Sequence, residues 1–211
     1  MTFYDIGKRV FDILGSAVGI LLFSPVMIIT AVYIKVVSPK GPILADAPKR
    51  VGKNGKEFKF YKFRSMIPNA HKWFLEHPDV YKKYVENNYK LDPDPRWIKG
   101  AEFIRDYSID ELPQFFNIFL GQMSLVGPRS YYPFELKERA EKFPSTKKDI
   151  AQAIKVKPGL TGVWQISGRS EIGFVERVRM DAVYAQKKSL LYDLLILLKT
   201  PYVVLAKKGA K

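Results

Sequence analysis

Residues 13–34 read ILGSAVGILLFSPVMIITAVYI and carry no charge at any position. An apolar run longer than about 18 residues is typical of a helix that enters a membrane. We therefore expect this segment to be a membrane helix. A buried helix of a soluble protein is the weaker interpretation, because nothing on the stretch is polar enough to face water.

Two features of this segment argue against a simple span. Ser24-Pro25 falls at its centre, where proline removes a backbone hydrogen bond and kinks a helix. The Ser24 hydroxyl can bond the backbone group that proline leaves free. Both flanks are basic, with Lys8-Arg9 before and Lys35 and Lys40 after, and basic flanks prefer the cytoplasmic side. The pattern alone supports a re-entrant helix and an ordinary spanning helix about equally.

A second apolar element, residues 190–205, is rich in leucine and is flanked by lysines. Pro201 interrupts it and Asp193 lies inside it. The pattern is typical of an amphipathic helix at a membrane interface. A core helix of the soluble part fits nearly as well.

The composition indicates a polyanionic partner. Lys and Arg number 35 against 21 Asp and Glu, a formal net charge of +14. Such an excess suits nucleic acid, an anionic membrane or phosphate substrates. The absence of cysteine excludes a disulfide scaffold and fits a reducing compartment, and two histidines make a zinc site improbable.

Residues 108–114 read Ser-Ile-Asp-Glu-Leu-Pro-Gln and place two adjacent carboxylates where a helix should begin. Ser108 with Glu111 matches a capping box, and Pro113 fits the opening turn of a helix. Neighbouring helical residues point about 100° apart, so Asp110 and Glu111 can face different partners. One can attack an electrophile while the other holds a metal. Seven residues alone favour the simpler interpretation, that both carboxylates cap the helix.

Basic residues recur at candidate anion sites. Alternation over residues 58–64 predicts a strand with Lys62 and Arg64 on one face, which suits a phosphate clamp or a solvent-facing strand end. The turns that contain Arg129, Lys157 and Arg169 pair a basic residue with glycine. Such turns bring a cation and backbone N–H groups to an anion, although singly they are more often ordinary loops.

Six motifs, taken together and in this order, resemble one family. They are Lys8–Ile13, Ser24-Pro25, Tyr61–Met66, Ser108–Gln114, Gly121–Arg129 and Lys157–Gly162. They look like the bacterial sugar transferases, which are monotopic phosphoglycosyl transferases acting on polyprenyl phosphate. The resemblance extends from Lys8 to about Leu205.

The resemblance implies an enzyme of the bacterial inner membrane with its active site on the cytoplasmic face. The enzyme would move a sugar 1-phosphate from a UDP-sugar to undecaprenyl phosphate and release UMP, as the first membrane step of a surface glycan. The family uses Mg²⁺ and a covalent aspartyl-phosphosugar intermediate. By position, Asp110 is the nucleophile and Glu111 the Mg²⁺ ligand.

The same resemblance implies roles for other residues. Lys62, Arg64 and Arg129 would contact phosphates, Arg169 would contact the nucleotide, and Ser24-Pro25 would break the re-entrant helix. The family usually has proline at position 130, where this chain has Ser130, so we expect a looser loop around Arg129.

The sugar and the extent of the chain are less determined. The sequence at residues 62–66 and at Trp164-Gln165 is similar to that of family members that transfer galactose or glucose 1-phosphate. Many such members carry a multispanning region before this part, which leaves open a compact member or a catalytic part.

We therefore expect one catalytic domain over residues 1–211, of α+β class and mostly helical. It would have a re-entrant helix at 13–34, short strands and interfacial amphipathic helices. The expected partners are the UDP-sugar, undecaprenyl phosphate and an anionic bilayer, without nucleic acid and with homo-oligomer formation left open. A membrane-anchored nucleic-acid-binding protein would explain only the charge and the aromatic residues, and a non-catalytic scaffold only the apolar segment.

Overall fold

A computed structural model describes residues 2–87, 91, 93–168 and 171–206. This part of the chain is mostly helical with short strands, which confirms the predicted α+β class. The helices are α1 (Phe3–Val37), α2 (Ala70–Glu76), α3 (Pro78–Glu86), α4 (Ala101–Asp106), α5 (Gln114–Phe119), α6 (Pro133–Lys142), α7 (Lys147–Ala153), α8 (Val163–Ser167), α9 (Phe174–Lys187) and α10 (Leu190–Leu205).

The strands form two small pairs. The strand β1 (Arg50–Val51) runs antiparallel to β2 (Glu57–Phe58), and β3 (Ser124–Val126) runs parallel to β4 (Gly159–Thr161). Single 3₁₀ turns lie at Lys53–Gly55, Ile109–Glu111 and Pro144–Thr146.

Helix α1 extends beyond both ends of the predicted segment. It begins with a capping box, in which the Thr2 hydroxyl accepts from Asp5 N at 3.2 Å and the Asp5 carboxylate accepts from Thr2 N at 2.9 Å. The helix continues through Pro25. Ser24 Oγ donates to the Leu21 carbonyl at 2.8 Å, the carbonyl that an N–H at position 25 would otherwise bond. The predicted role of the hydroxyl is confirmed, and the two predicted half-helices are one continuous helix.

Helix α1 has one face toward the protein and one exposed apolar face. Its buried residues are Asp12, Ser16, Gly19, Met27, Thr30 and Ile34. The opposite face exposes Leu21, Ile29 and Val36 by 76%, 67% and 73%. Only 22% of its most apolar 18-residue window is buried, whereas the core helix of a soluble protein is mostly buried. By length and composition, α1 is the one helix in the described ranges that could cross a membrane.

Both halves of α1 pack on the core. Near its middle, Phe23 stacks on Phe115 of α5 with ring centroids 5.9 Å apart. A side chain at Gly19 would overlap the Phe115 ring, so glycine permits this close approach. Further along, Met27 and Ile34 pack in a second cluster with Phe63.

Helix α10 combines the two predicted alternatives. Asp193, Ile196 and Val203 are buried, as in a core helix. Leu191 and Leu198 are 68% and 69% exposed on the other face, as in an interfacial helix. The helix therefore supports the core and adds to the exposed apolar surface.

The strand predicted over residues 58–64 forms only in part, because β2 ends at Phe58 and a single antiparallel bridge then joins Phe63 to Leu44. Between these two points the backbone bonds to a side chain instead of a partner strand. Asn117 accepts from Tyr61 N at 2.9 Å and donates to the Lys59 carbonyl at 2.7 Å, and Phe63 N donates to the Asp110 carbonyl at 2.8 Å. Alternation of side chains alone could not reveal these partners.

Candidate active site

The two adjacent carboxylates lie on a 3₁₀ turn immediately before α5. The predicted capping box is wrong, because Ser108 adopts the left-handed conformation with φ 55° and makes no side-chain cap hydrogen bond. Pro113 directly precedes α5 with φ −60°, as predicted for the opening turn. The carboxylates are therefore placed by a tight turn and are not used as the predicted cap.

Asp110 is buried and paired with a lysine. Its residue exposure is 2%, and Lys62 Nζ lies 2.8 Å from its Oδ2. This ion pair lacks hydrogen-bond geometry, so Oδ2 accepts no hydrogen bond from the described part of the chain. The same lysine lies 3.8 Å from Glu111 Oε1. The structure thus brings three of the predicted site residues together.

The adjacent carboxylates of Asp110 and Glu111 have different surroundings, which agrees with the prediction that they can face different partners. The Asp110 side chain is 3% exposed, whereas that of Glu111 is 39% exposed. A solvent-facing carboxylate can accept a hydrated cation, while a buried one keeps a fixed direction. Glu111 therefore suits a metal ligand better than Asp110 does.

An apolar groove adjoins these residues. Its volume is about 550 Å³. Its lining comes from α1, from the loop after α1, from the segment around Lys62 and from α5 with its two flanking residues. The lining residues are Ile20, Ser24, Met27, Ile28, Ala31, Leu44, Tyr61, Phe63, Pro113, Phe116, Phe119 and Leu120. The residues on either side of Lys62 and the proline two positions after Glu111 all line it. The charged site therefore borders an apolar surface that includes part of α1.

The loop that contains Arg129 is held on both sides. Gly127 N donates to the Thr161 carbonyl at 2.9 Å, and Gly159 N donates to the Pro128 carbonyl at 2.8 Å. A side chain at Gly127 or Gly159 would clash with the facing backbone. These contacts hold the position of the loop.

The looser loop expected from Ser130 stays a prediction, and two hydrogen bonds hold the residues around this position. Ser130 is buried, and its carbonyl accepts from Arg50 Nη1 at 3.0 Å. Val51 N donates to the Tyr131 carbonyl at 2.9 Å. Backbone bonds thus hold the residues around position 130 without the rigidity of a proline ring.

Arg129 belongs to a group of three buried or part-buried arginines. Its guanidinium lies 5.0 Å from the Trp164 ring centroid, and that of Arg177 lies 4.7 Å from the same centroid. Burial lowers the pKa of Arg177, and the positive charge of Arg129 lowers it further. An anion bound here would relieve the repulsion.

Arg50 connects this group to the carboxylates. Burial lowers the pKa of Arg50; the charge of Arg129 also lowers it, while Glu111 acts in the opposite direction. Its guanidinium stacks 3.3 Å from the Tyr132 ring centroid. Sequence reasoning missed Arg50 and Arg177, because each stands outside the glycine-containing turns that indicated the other cations.

Asp181 lies behind the Arg129 loop. It is 1% exposed and its Oδ2 accepts from Arg129 N and from the Tyr131 hydroxyl, each at 3.2 Å. Burial raises the pKa of Asp181 to about 7, although these hydrogen bonds and the charges of Arg129 and Arg177 oppose the rise. This carboxyl also was not predicted, since a single Asp within a helix has no distinctive pattern.

Arg64 is not brought to the carboxylates. It is 4% exposed, and its guanidinium donates to the carbonyls of Ser38, Pro42 and Met66 and to the Ser38 hydroxyl. This geometry joins the end of α1 to the following loop. Its phosphate contact stays a prediction, and the predicted nucleotide contact, Arg169, lies outside the described residues.

The described residues fit one kind of Mg²⁺ site, in which the substrate supplies most of the ligands. The described ranges contain no group of three or more His, Cys, Asp and Glu side chains that could hold a metal. Mg²⁺ commonly uses one or two carboxylates together with substrate phosphates and water. The exposed Glu111 carboxylate fits such a site, in which the substrate supplies the remaining ligands.

A buried, ion-paired carboxylate lies beside an apolar groove and next to a long apolar helix that could enter a membrane, and these features together form a candidate group-transfer site. The model of the family described as bacterial sugar transferase matches residues 3–207. The chain therefore belongs to the bacterial sugar transferase family.

The chain covers its relatives to different extents. The chain is 40% identical over 206 residues to the undecaprenyl-phosphate galactose phosphotransferase of Salmonella typhimurium, covering 96% of this chain and 41% of that protein. It is 37% identical to the exopolysaccharide production protein ExoY of Rhizobium meliloti, covering 96% and 87%. It is 36% identical to the UDP-glucose:undecaprenyl-phosphate glucose-1-phosphate transferase of Klebsiella pneumoniae, covering 96% and 41%. The chain thus spans less than half of the Salmonella and Klebsiella proteins.

Proposed function

We propose that this chain transfers a sugar 1-phosphate from a UDP-sugar to undecaprenyl phosphate, with release of UMP. The observation that carries the proposal is the Lys62–Asp110 ion pair of 2.8 Å at the edge of the apolar groove. A nucleophile for phosphorus and a surface for a lipid acceptor therefore lie next to each other. The names of the Salmonella and Klebsiella relatives support the same reaction class.

In the first step, an Asp110 carboxylate oxygen attacks the phosphorus bonded to the sugar. An acyl-phosphate bond forms, the bond from that phosphorus to UMP breaks, and UMP leaves with the bonding electrons. Lys62 lies 2.8 Å from Asp110 and can pass to a phosphate oxygen during the reaction, because its side chain is long and 25% exposed.

In the second step, a phosphate oxygen of undecaprenyl phosphate attacks the same phosphorus. The acyl-phosphate bond breaks, and Asp110 returns as a carboxylate. Glu111 would hold Mg²⁺, which when bound neutralises charge on the diphosphate. The closed environment of Asp110, which is 3% exposed, limits attack by water on the intermediate.

The apolar groove is the proposed site for the first part of the polyprenyl chain. Eleven of its twelve lining residues have largely hydrocarbon or aromatic side chains, and the twelfth is Ser24. Burial of hydrocarbon is favourable at roughly 25 cal/mol per Å². A lipid bound here would have its phosphate near Lys62 and Asp110, where the reaction needs it.

The arginine group is the proposed site for the donor diphosphate and nucleotide. Arg129 has a buried Nε without a hydrogen-bond partner in the described ranges, and the same holds for Nε of Arg50 and of Arg177. Unpaired buried donors are costly, and guanidinium groups suit phosphate oxygens. Arg50 extends this group toward Glu111, the proposed metal ligand.

We also propose that α1 enters and leaves the membrane on its cytoplasmic face. Near its start, Arg9 donates to the Ile118 and Phe119 carbonyls at 2.9 and 2.8 Å. Near its end, the Tyr33 hydroxyl donates to the Lys99 carbonyl at 3.0 Å. A helix that is fixed to the same body at both ends, with basic residues at both flanks, is better suited to one-sided insertion than to a straight crossing.

The reaction is tested with purified protein, undecaprenyl phosphate and a panel of UDP-sugars, with UMP release as the readout. We expect a hexose donor, galactose or glucose, to give UMP release that depends on the acceptor and on Mg²⁺. No UMP release from any UDP-sugar in the panel, with folded protein and acceptor present, would contradict the proposal.

The insertion of α1 is tested with single cysteines, since the chain has none of its own. Thr2→Cys and Lys40→Cys variants are exposed in intact cells to a maleimide that does not cross the inner membrane. We expect both positions to stay unlabelled until that membrane is opened. Labelling of either one from the periplasm would show that α1 spans the bilayer.

A further inference from the structure

A basic pocket of about 260 Å³ lies between the beginning of α1 and the segment that precedes β4. We call it the basic pocket. Its cationic side chains are Lys8, Arg9, Lys53, Lys157 and Lys188. None of these side chains belongs to the proposed catalytic site. The pocket volume would hold several groups the size of a water molecule, since each takes up roughly 30 Å³.

The acidic groups at the basic pocket are already committed. Asp12 accepts from the Ser124 hydroxyl and lies 3.4 Å from Lys8 Nζ, which also lies 3.0 Å from the buried Asp193. Asp5 belongs to the α1 capping box and lies 3.7 Å from Lys188 Nζ. These carboxylates therefore balance Lys8 and Lys188.

The remaining cations have no such balance. Lys53 and Lys157 form no ion pair with a carboxylate in the described ranges. Among the described residues, Arg9 donates to the neutral carbonyls of Ile118 and Phe119 and forms no ion pair. Burial lowers the pKa of Lys157, and the charge of Arg9 lowers it further. Like charges in a concave pocket repel one another, and a bound anion would remove that cost.

Two helices next to the basic pocket carry exposed aliphatic side chains: α1, which lines the pocket, and α10, which begins two residues after the lining residue Lys188. On α1, Ile6 and Val10 are 53% and 51% exposed, and on α10, Leu191 is 68% exposed. The two helices approach each other, since a side chain at Gly7 would lie 3.1 Å from Leu190. Basic residues beside exposed aliphatic side chains are typical of a surface that receives lipid headgroups.

We propose that the basic pocket binds a phosphate ester, with the headgroup phosphate of an anionic phospholipid as its source. Lys157 and Lys53 contact the phosphate oxygens, and Arg9 contributes charge from the wall of the pocket. The acyl chains follow the exposed faces of α1 and α10. This site is separate from Asp110 and does not depend on the proposed reaction.

The test places the full chain in nanodiscs of equal phosphatidylcholine and phosphatidylglycerol, extracts it in detergent and measures the lipid that stays bound. The pocket variant is Lys53→Gln with Lys157→Gln. The matched control is Lys147→Gln with Lys148→Gln, which makes the same charge change at exposed positions outside the pocket.

We expect wild type and control to retain phosphatidylglycerol in preference to phosphatidylcholine. The pocket variant should retain about tenfold less phosphatidylglycerol, because it has lost a charge-assisted contact to the phosphate. Equal retention by the pocket variant and the control would overturn the proposal. Thermal unfolding checks the fold, and Lys53→Gln alone replaces the double variant if Lys157→Gln does not fold, because Lys53 is exposed.

A second arm separates the two sources of phosphate. Inorganic phosphate is titrated onto the lipid-free protein and, separately, onto the lipid-bound protein. We expect weak binding to the lipid-free wild type and release of phosphatidylglycerol at high phosphate concentration. Phosphate binding that the pocket variant loses, without any phosphatidylglycerol retention by wild type, would assign the site to soluble phosphate and overturn the lipid source.

Discussion

Asp110 and Asp181 are both buried, yet their surroundings differ. Asp110 is 2% exposed and has a lysine ammonium 2.8 Å from its Oδ2. Asp181 is 1% exposed, forms no ion pair of that kind with the described residues, and its pKa is raised to about 7 by burial. Burial alone therefore does not make a carboxylate a nucleophile, because a nearby cation and an approach for substrate are also needed.

The largest expected effect comes from Asp110→Asn. The amide is nearly isosteric but cannot attack phosphorus as an anion, so UMP release should fall at least about a thousandfold, as is typical when a nucleophile is removed. The matched control is Asp181→Asn, which removes another buried carboxylate. An Asp110→Asn protein that folds and turns over normally would show that the comparison assigns the wrong residue.

Lys62→Ala tests the cation that distinguishes the two carboxylates. We expect a roughly ten- to hundredfold loss of UMP release, since one charge-assisted contact is worth about 1.5–3 kcal/mol. Lys59→Ala is the control, because Lys59 is an exposed lysine on the same segment. Equal activity of the two variants would make the Lys62–Asp110 ion pair irrelevant to the reaction.

Glu111→Gln separates the exposed carboxylate from the buried one. Activity should require about tenfold more Mg²⁺, because a neutral amide binds the cation more weakly than a carboxylate does. UMP release is measured against Mg²⁺ concentration, with the exposed Glu102→Gln as control. A curve that Glu111→Gln leaves unchanged would limit Glu111 to a structural role.

Asp181→Asn should have the smallest effect on turnover, less than about tenfold, because an amide oxygen can still accept from Arg129 N and the Tyr131 hydroxyl. Its effect on stability should be clearer. The folded protein holds the Asp181 proton up to about pH 7, whereas an unfolded Asp loses it near 3.8. Stability should therefore fall as the pH rises from about 4 to 7, by up to about 4 kcal/mol.

The variant removes that fall, since an amide does not titrate. Denaturant unfolding at pH 5 and pH 8 measures the difference in the free energy of unfolding. If the free energy of unfolding changed equally in wild type and in Asp181→Asn between these pH values, Asp181 would be ionised throughout the range.

The sequence predicted those parts of the fold and site that depend on local pattern. The apolar run over residues 13–34 predicted the core of α1, and the Ser24 hydroxyl bonds the carbonyl next to Pro25 as expected. The grouping of Asp110 and Glu111 with Lys62 was implied by the resemblance to the sugar transferases, and the structure brings the three side chains together.

The rest depends on contacts between distant residues. The predicted strand is interrupted between Phe58 and Phe63, because the Asn117 side chain takes the backbone bonds that a partner strand would have made there. Arg50 and Asp181 gain their roles only when β1 and α9 meet the Arg129 loop. No periodicity in the sequence could show that these residues are neighbours.

The central claim, that Asp110 forms a covalent bond to the sugar phosphate, is tested by incubating the protein with the UDP-sugar and Mg²⁺ without the lipid acceptor. The intact mass is then measured after acid quenching, and the modified peptide is located by sequencing. We expect wild type and Asp181→Asn to gain one sugar phosphate on the peptide that contains Asp110, and Asp110→Asn to gain none. An adduct on another residue, or equal labelling of Asp110→Asn, would contradict the account.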